Sequence, residues 1–138
     1  MNRLLLLLIV AITGSSVCAL PRAAQIPPPA KRATNVKITD GPELESAKDN
    51  LAIIRWTSNN PGGSDEHFGV VHYGKNPKDL SQTAKSHIRL NQQHSYTVFR
   101  VRVDGLEPRT TYYYQVDSMD SSARSDGVVS PVSTFKTP

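Results

Sequence analysis

The residues best suited to chemistry in this sequence are four histidines and one short acidic run, Asp65-Glu66-His67. A zinc site needs several converging His, Cys, Asp or Glu ligands, and a two-metal phosphoesterase needs carboxylates that bridge its metals. The histidines His67, His72, His87 and His94 form no His-x-His or His-x-x-x-His pair. The acidic run stands among Gly, Ser and Asn residues and is typical of a solvated turn. The spacing therefore predicts no metal site.

Nucleophilic catalysis is not indicated either. A serine hydrolase of the α/β type presents its nucleophile in a Gly-x-Ser-x-Gly turn, and the sequence contains no such pentapeptide. The single cysteine, Cys18, lies in the N-terminal leader. We therefore expect a non-enzyme with no catalytic residue, no bound metal and no cofactor.

The first residues have the layout of a secretory signal peptide. Asn2-Arg3 precedes an unbroken apolar run from Leu4 to Ile12, and Val17-Cys18-Ala19 supplies a cleavage site of small residues. The run is shorter than the roughly 20 apolar residues of a transmembrane helix, so we expect no transmembrane segment. We predict a signal peptide at residues 1–19, cleavage after Ala19, and a secreted or periplasmic protein.

Cys18 leaves with this signal peptide, so the mature chain is predicted to contain no thiol and no disulfide. A second hypothesis makes Cys18 the lipid-bearing first residue of an anchored lipoprotein. Ser15 and Val17 do not match the Leu and the Gly or Ala that usually precede such a cysteine. Lipid anchoring therefore stays the minor alternative.

Residues 20–32 are predicted to be a linker rich in Pro and Ala. Pro27-Pro28-Pro29 favours an extended polyproline conformation, and the neighbouring residues offer no apolar core. The segment is either a stiff tether or a leftover without a role. Residues 33–138 are about as many as one small domain needs.

Short runs of alternating apolar and polar residues recur along this domain, separated by Gly, Pro, Asn and Asp clusters, and helical periodicity is absent. The pattern predicts an all-β fold, a two-sheet antiparallel β-sandwich of seven strands. Trp56 alternates inward, and its loss should cost about 3–5 kcal/mol. The strands are expected around Val36–Ile38, Leu51–Trp56, Phe68–Tyr73, Leu80–Ala84, His94–Val103, Tyr112–Val116 and Val132–Thr137.

The stretch Leu106-Glu-Pro-Arg-Thr-Thr-Tyr112, followed by Tyr114 and Val116, resembles the L-x-P-x-T-x-Y-x-x-x-V signature of fibronectin type III domains. Ile54-x-Trp56 resembles the Val-x-Trp pair of their second strand. The resemblance implies an immunoglobulin-like sandwich in which Pro108 stiffens a corner between sheets. The hydroxyl of Tyr112 would then bond to the backbone of that corner.

A more specific resemblance covers residues 71–84. Val71-His-Tyr73-Gly-Lys-Asn-Pro-Lys-Asp-Leu-Ser-Gln-Thr-Ala84 is similar to the Y-G-x-x-P-x-x-L-S-x-T-A stretch of the N-terminal domain of purple acid phosphatases. Thr110–Val116 and Ser133–Pro138 match that domain too. In that family the dinuclear metal site lies in a following metallophosphatase domain with GD-x-x-Y, GNHE and paired-histidine motifs. None of these motifs occurs in this sequence.

The fibronectin resemblance also groups the exposed cations. It places the first, second and fifth strands in one sheet, so that Lys37, Arg55, Arg100 and Arg102 would form a basic open face. Guanidinium groups suit the carboxylate, sulfate or phosphate groups of an acidic glycan. The alternative is that these charges serve only solubility and prevent strand pairing. Nucleic acid is not expected, because no aromatic residues for stacking accompany the cations.

Two functions follow from these observations. In the first, the chain is an exported binding or adaptor module that contacts a protein or acidic polymer in the cell envelope or outside the cell. In the second, it is an accessory or remnant N-terminal domain of a purple acid phosphatase, a class of metal-dependent phosphomonoester hydrolases. As an accessory domain it would dock to a separately encoded metallophosphatase; as a remnant it would be a fragment that lost its catalytic half.

Overall fold

The computed structural model describes residues 31–61, 67–86 and 94–138. The predicted signal peptide, nearly all of the predicted linker, and residues Asp65, Glu66 and His87 lie outside the described residues. Within those three ranges, no helix is long and apolar enough to cross a membrane.

The described chain is all-β, as the alternating pattern predicted. Because successive side chains of a strand point to opposite faces, the alternation puts one apolar face inside and one polar face outside. Every strand pair is antiparallel. The strands are β1 (Ile38–Lys48), β2 (Leu51–Ser58), β3 (His67–Gly74), β4 (Gln82–Lys85), β5 (Thr97–Val103), β6 (Thr111–Asp120) and β7 (Ser133–Lys136).

These strands form two sheets. One sheet has the order β1-β2-β5, and the other has the order β4-β3-β6-β7. The first, second and fifth strands therefore share a sheet, as the fibronectin type III resemblance implied. The register between β2 and β5 places Trp56 opposite Phe99 and Arg55 opposite Arg100.

The core lies between the sheets and is dominated by aromatic side chains. Trp56 and Phe99 are both buried, with ring centroids 5.1 Å apart. From the four-stranded sheet, Tyr112 stacks on Phe135 at 5.7 Å. Trp56, Tyr73, Leu106, Tyr112 and Tyr114, which the sequence assigned to the core or its corner, are all buried, whereas Pro108 is exposed.

The corner between β5 and β6 is fixed by the Tyr112 hydroxyl. Its oxygen accepts a hydrogen bond from the backbone N–H of Glu107 at 3.0 Å. Thr137 holds the same corner to the end of β7, because its hydroxyl donates to the Glu107 carbonyl at 2.6 Å and accepts from the Thr110 amide at 2.8 Å. The predicted tyrosine corner is thus present, with the hydroxyl oxygen as acceptor.

The first strand differs from its expected position. The alternation around Val36 suggested an early start, but β1 begins at Ile38 and continues to Lys48. Its pairing with β2 shifts register three times, which breaks the period of two that makes a strand visible in a sequence. One irregularity requires glycine: Gly41 has φ +76°, and a Cβ there would lie 2.8 Å from the carbonyl oxygen of Arg55.

Candidate functional site

The three histidines within the described residues, His67, His72 and His94, do not converge. His67 was expected in a loop, but it is the first residue of β3 and is buried. Its imidazole packs edge-on against Phe99 at 5.4 Å, and its Nε2 lies 3.1 Å from the Thr97 hydroxyl. His72 follows five positions later on the same strand and therefore points to the opposite face. His94 is exposed beside the ring of Tyr96.

Two aspartates, Asp117 and Asp120, lie in the second half of β6, and Asp126 lies in the loop that follows; their carboxylates organise that loop. Asp117 Oδ1 accepts from the Ser125 hydroxyl at 2.9 Å. Asp120 Oδ1 accepts from the backbone N–H groups of residues 122 and 124 at 2.9 and 3.0 Å, and Asp126 accepts from the Ser118 hydroxyl. The bond from the residue 122 amide to Asp120 is typical of an Asx turn, whereas the serine bonds of Asp117 and Asp126 tie β6 to the loop across eight residues. Within residues 31–61, 67–86 and 94–138, no group of three potential metal ligands is present.

Burial raises the pKa of one of these carboxyls, that of Asp117. Asp117 is only 5% exposed, and the resulting desolvation raises its pKa above the usual range. The hydrogen bond from Ser125 and the amide of Ser118 oppose this rise, while the nearby charge of Asp126 adds to it. The group is a buried carboxyl on β6 that is hydrogen-bonded to the loop after the strand.

The open face of the β1-β2-β5 sheet collects three of the four predicted binding residues. Arg55 and Arg100 are direct cross-strand partners, and Arg102 is paired with Ile53, the next outward position of β2. Arg100 and Arg102 are exposed, with 55% and 64% of their side-chain surface accessible. We call this surface the arginine face. Lys37 is exposed one residue before β1, where its backbone bonds to Asn59.

The structure corrects the expectation that this face is basic, because carboxylates share it with the arginines. The bulged strand β1 brings Asp40, Glu43 and Glu45 to the same surface. Arg55 Nη1 donates to Asp40 at 3.0 Å and to Glu43 at 2.9 Å. These two bonds, first that to Asp40, raise the pKa of Arg55 above its ordinary value.

The other two arginines are also paired. Arg100 Nε lies 2.9 Å from both carboxylate oxygens of Glu45, and Arg102 Nε lies 2.7 Å from Asp104. Like charges opposite each other on neighbouring strands are destabilising. Because the carboxylates stand beside Arg55 and Arg100, they compensate that repulsion. The arginine face is therefore a surface of mixed charge.

A second exposed surface was not anticipated from the sequence. Residues 127–132, which we call the valine segment, run from Gly127 to the residue before β7. Val129 and Val132 on this segment are 53% and 43% exposed, high values for branched apolar side chains. The segment has no alternating pattern, so its exposed valines could not be separated from core residues by periodicity.

The valine segment is held firmly although its valines are exposed. Ser130 is buried, its amide donates to the Val116 carbonyl at 3.0 Å, and its hydroxyl accepts from the Val116 amide at 3.0 Å. Its carbonyl accepts from the Gln115 side chain at 3.0 Å. Three bonds on one residue fix the backbone against β6. The exposed valines therefore project from an ordered support.

Comparison with known families gives a match over nearly the whole sandwich. Residues 41–137, from within β1 to one residue past β7, match the purple acid phosphatase N-terminal domain. A curated relative, an acid phosphatase of Aspergillus ficuum, is 34% identical over 117 residues, covering 70% of this chain. The chain spans only 18% of that relative's length.

The fold also matches a solved structure. The sensor domain of the anti-sigma factor RsgI4 from Pseudobacteroides cellulosolvens superposes with a TM-score of 0.50 and 19% sequence identity. The alignment covers 74% of this chain and 93% of that domain. At this identity the likeness concerns the fold alone. It agrees with an immunoglobulin-like sandwich of seven strands in two sheets.

Proposed function

The chain belongs to the purple acid phosphatase N-terminal domain family, and on that premise we propose that it serves a metallophosphatase as a non-catalytic accessory domain. The observation that carries this proposal is the family match over residues 41–137, which reaches all seven strands. Phosphomonoester hydrolysis would then belong to a partner domain. No residue of the chain is assigned a role in that reaction.

The valine segment is the surface we assign to the contact with the phosphatase domain. Val129 and Val132 are among the few large apolar side chains exposed on the described residues. Burying them would gain about 25 cal/mol for each Å² of apolar surface removed from water. Because Ser130 already fixes the backbone, little conformational entropy would be lost on binding. The proposal therefore requires a complementary apolar patch on the metallophosphatase domain.

Binding to a phosphatase domain tests this proposal. The acid phosphatase of Aspergillus ficuum, shortened by the region aligned with this chain, would be titrated with the purified chain by calorimetry. We expect saturable binding, weakened at least about tenfold by the double variant Val129→Asp/Val132→Asp, a loss of about 1.4 kcal/mol. Leu44→Asp is the matched control, because Leu44 is 37% exposed on the other sheet.

Two results would contradict the proposal. The absence of binding up to a Kd of about 1 mM would remove the accessory role. Equal weakening by Leu44→Asp would remove the valine segment as the contact. Independently, hydrolysis of an aryl phosphate by the purified chain alone, abolished by a chelator, would show that the chain is itself an enzyme.

A second candidate function is contact with an acidic polymer, such as an acidic glycan, through the arginine face. One observation favours it: Arg100 and Arg102 lie on one exposed face with more than half of each side chain accessible. Against it, each Nε already binds a carboxylate. Retention on immobilised heparin that falls when Arg100 and Arg102 are changed to Gln would support this function, and retention unaffected by these changes would remove it.

We also propose that the chain is exported to the periplasm or the exterior. The support is the signal-like sequence of residues 1–19, with its charged start, apolar run and small-residue cleavage site. Expression of the full chain in a secreting host, followed by fractionation, tests this. Recovery of the chain only inside the cell, with Met1 or Asn2 at its N-terminus, would contradict export.

A further inference from the structure

Lys31 and Arg32 stand at the boundary between the linker and the sandwich. They are the only adjacent pair of basic residues in the sequence, although the chain contains 16 lysines and arginines. Both side chains are exposed. Some exported chains carry a pro-segment that is removed from the folded part by proteolysis. Exposed segments near chain ends are preferred sites of such cleavage.

The folded part begins immediately after this pair. The backbone N–H of Ala33 donates to Asn60 Oδ1 at 3.2 Å, and Asn60 is only 4% exposed. Two residues later, the Asn35 carbonyl accepts from the Asn59 side chain at 2.8 Å. The Lys37 amide then donates to Asn59 Oδ1 at 2.7 Å. From Ala33 onward the chain is therefore attached to the end of β2.

We propose that Lys31-Arg32 is a processing site, at which a serine endoprotease selective for paired basic residues hydrolyses the peptide bond between Arg32 and Ala33. In this reaction water supplies a hydroxyl to the Arg32 carbonyl carbon and a proton to the Ala33 nitrogen. The C–N bond breaks, one water is consumed, and no redox partner is needed. Combined with removal of the signal peptide, the cut releases residues 20–32. The inference rests on the proposed export and is independent of the phosphatase partner.

Exposure of both basic side chains lets the acidic subsites of such a protease receive them. Residues 33–37 precede β1, so they can detach from the sandwich and become extended. This would break a few hydrogen bonds but would leave every strand pair intact. Other exposed cations are single, and several lie within strands, such as Lys85 in β4 and Arg100 in β5. The boundary pair is thus the one site that combines the right sequence with an accessible backbone.

The cut would also leave a new N-terminus that can stay bonded to the sandwich. The new amino group of Ala33 is placed beside Asn60 Oδ1, so the hydrogen bond made by the amide can be kept by the ammonium. Arg32, which lines a small cavity with Asn60, His67 and Asp120, would be removed. The sandwich itself loses no strand and no core residue.

Secretion from a eukaryotic host that contains a paired-basic serine endoprotease tests the proposal. N-terminal sequencing and intact mass of the secreted chain should give a start at Ala33. Lys31→Ala and Arg32→Ala should each shift the start to Leu20. Arg22→Ala is the matched control, because it removes a lone basic residue of the same linker and should leave the start at Ala33. A wild-type start at Leu20, or a start at Ala33 in the Arg32→Ala variant, would overturn the processing site.

A second measurement separates this inference from the export proposal. The full chain, purified without secretion, would be incubated with the purified endoprotease, with a peptide of residues 28–37 as a competing substrate. We expect cleavage of both at the bond after Arg32. Cleavage of the peptide alone would overturn the processing site whether or not the chain is exported. Cleavage of both, with no secretion in cells, would overturn export and leave the site standing.

Discussion

The Trp56 indole lies directly against the α carbon of Gly69. A Cβ added at Gly69 would lie 2.6 Å from the indole carbons Cζ2 and Cη2, and 2.9 Å from Phe99 Cδ1. Since core side chains are closely packed and cannot withdraw freely, Gly69→Ala should overpack the centre of the sandwich. We expect a loss of about 1–3 kcal/mol in the free energy of unfolding, measured by urea denaturation.

The control for this prediction is a double-mutant cycle with Trp56→Phe. The phenyl ring is shorter than the indole, so the extra methyl group should find room in that background. Gly69→Ala should then cost less than in the parent chain, with a coupling energy of at least about 0.5 kcal/mol. Equal costs in both backgrounds would show that the indole does not limit the space.

Trp56→Ala should bring the domain close to unfolding. Trp56 is 1% exposed, and removing a buried aromatic side chain costs about 3–5 kcal/mol. A small domain has only about 5–15 kcal/mol in total. Thermal melts followed by circular dichroism check the result. A melting temperature equal to that of the parent would contradict the inward orientation of β2.

Tyr112→Phe should weaken the corner between β5 and β6. The substitution keeps the ring in the core but removes the acceptor of the Glu107 amide. Because Glu107 is exposed, water can replace the hydroxyl in part, so we expect a loss of about 0.5–1.5 kcal/mol. Tyr113→Phe, on the other face of β6, is the matched control and should change stability by less than about 0.5 kcal/mol.

Asp117→Asn should stabilise the sandwich at neutral pH and have little effect in acid. Below the ordinary carboxyl pKa of about 4, Asp117 is protonated in both folded and unfolded chains. As the pH rises toward the raised pKa of the folded state, the unfolded chain releases this proton first, so the free energy of unfolding falls. Asparagine has no such titration and can still accept the hydrogen bond from Ser125.

The difference in melting temperature between Asp117→Asn and the parent chain checks this. It should grow from pH 3.5 to pH 7 in favour of the variant. A difference that stays constant over this range, or that favours the parent at neutral pH, would show that burial does not raise the pKa of Asp117 in the folded chain.

Features that neighbouring residues define could be predicted from the sequence, whereas features that depend on irregular pairing could not. Trp56 and Tyr112 were placed correctly because alternation and a short corner motif define their surroundings. The carboxylates Glu43 and Glu45 were missed as partners of the arginines because β1 is mostly exposed and its bulges remove the alternating pattern. The outward orientation of the positively charged arginines was therefore predictable, but the net charge of the face on which they lie was not.

The valine segment was missed for a different reason. Its conformation is fixed by hydrogen bonds between Ser130 and Val116, which are 14 residues apart. Nothing in the neighbouring residues indicates that Ser130 is buried while Val129 and Val132 point outward. Long-range pairing of this kind overrides the ordinary preference of valine for the interior.

The two ends of the sandwich have a mechanical consequence. Ala33 is bonded beside the end of β2, whereas the Pro138 carbonyl accepts from the Arg109 amide near the start of β6, at the opposite end. The strands run along this axis, and β6 alone spans 10 residues, about 33 Å. A pull on Ala33 and Pro138 would load the hydrogen bonds of β1 and β7 in shear, many at once. The strand geometry therefore predicts that the sandwich resists extension along this axis.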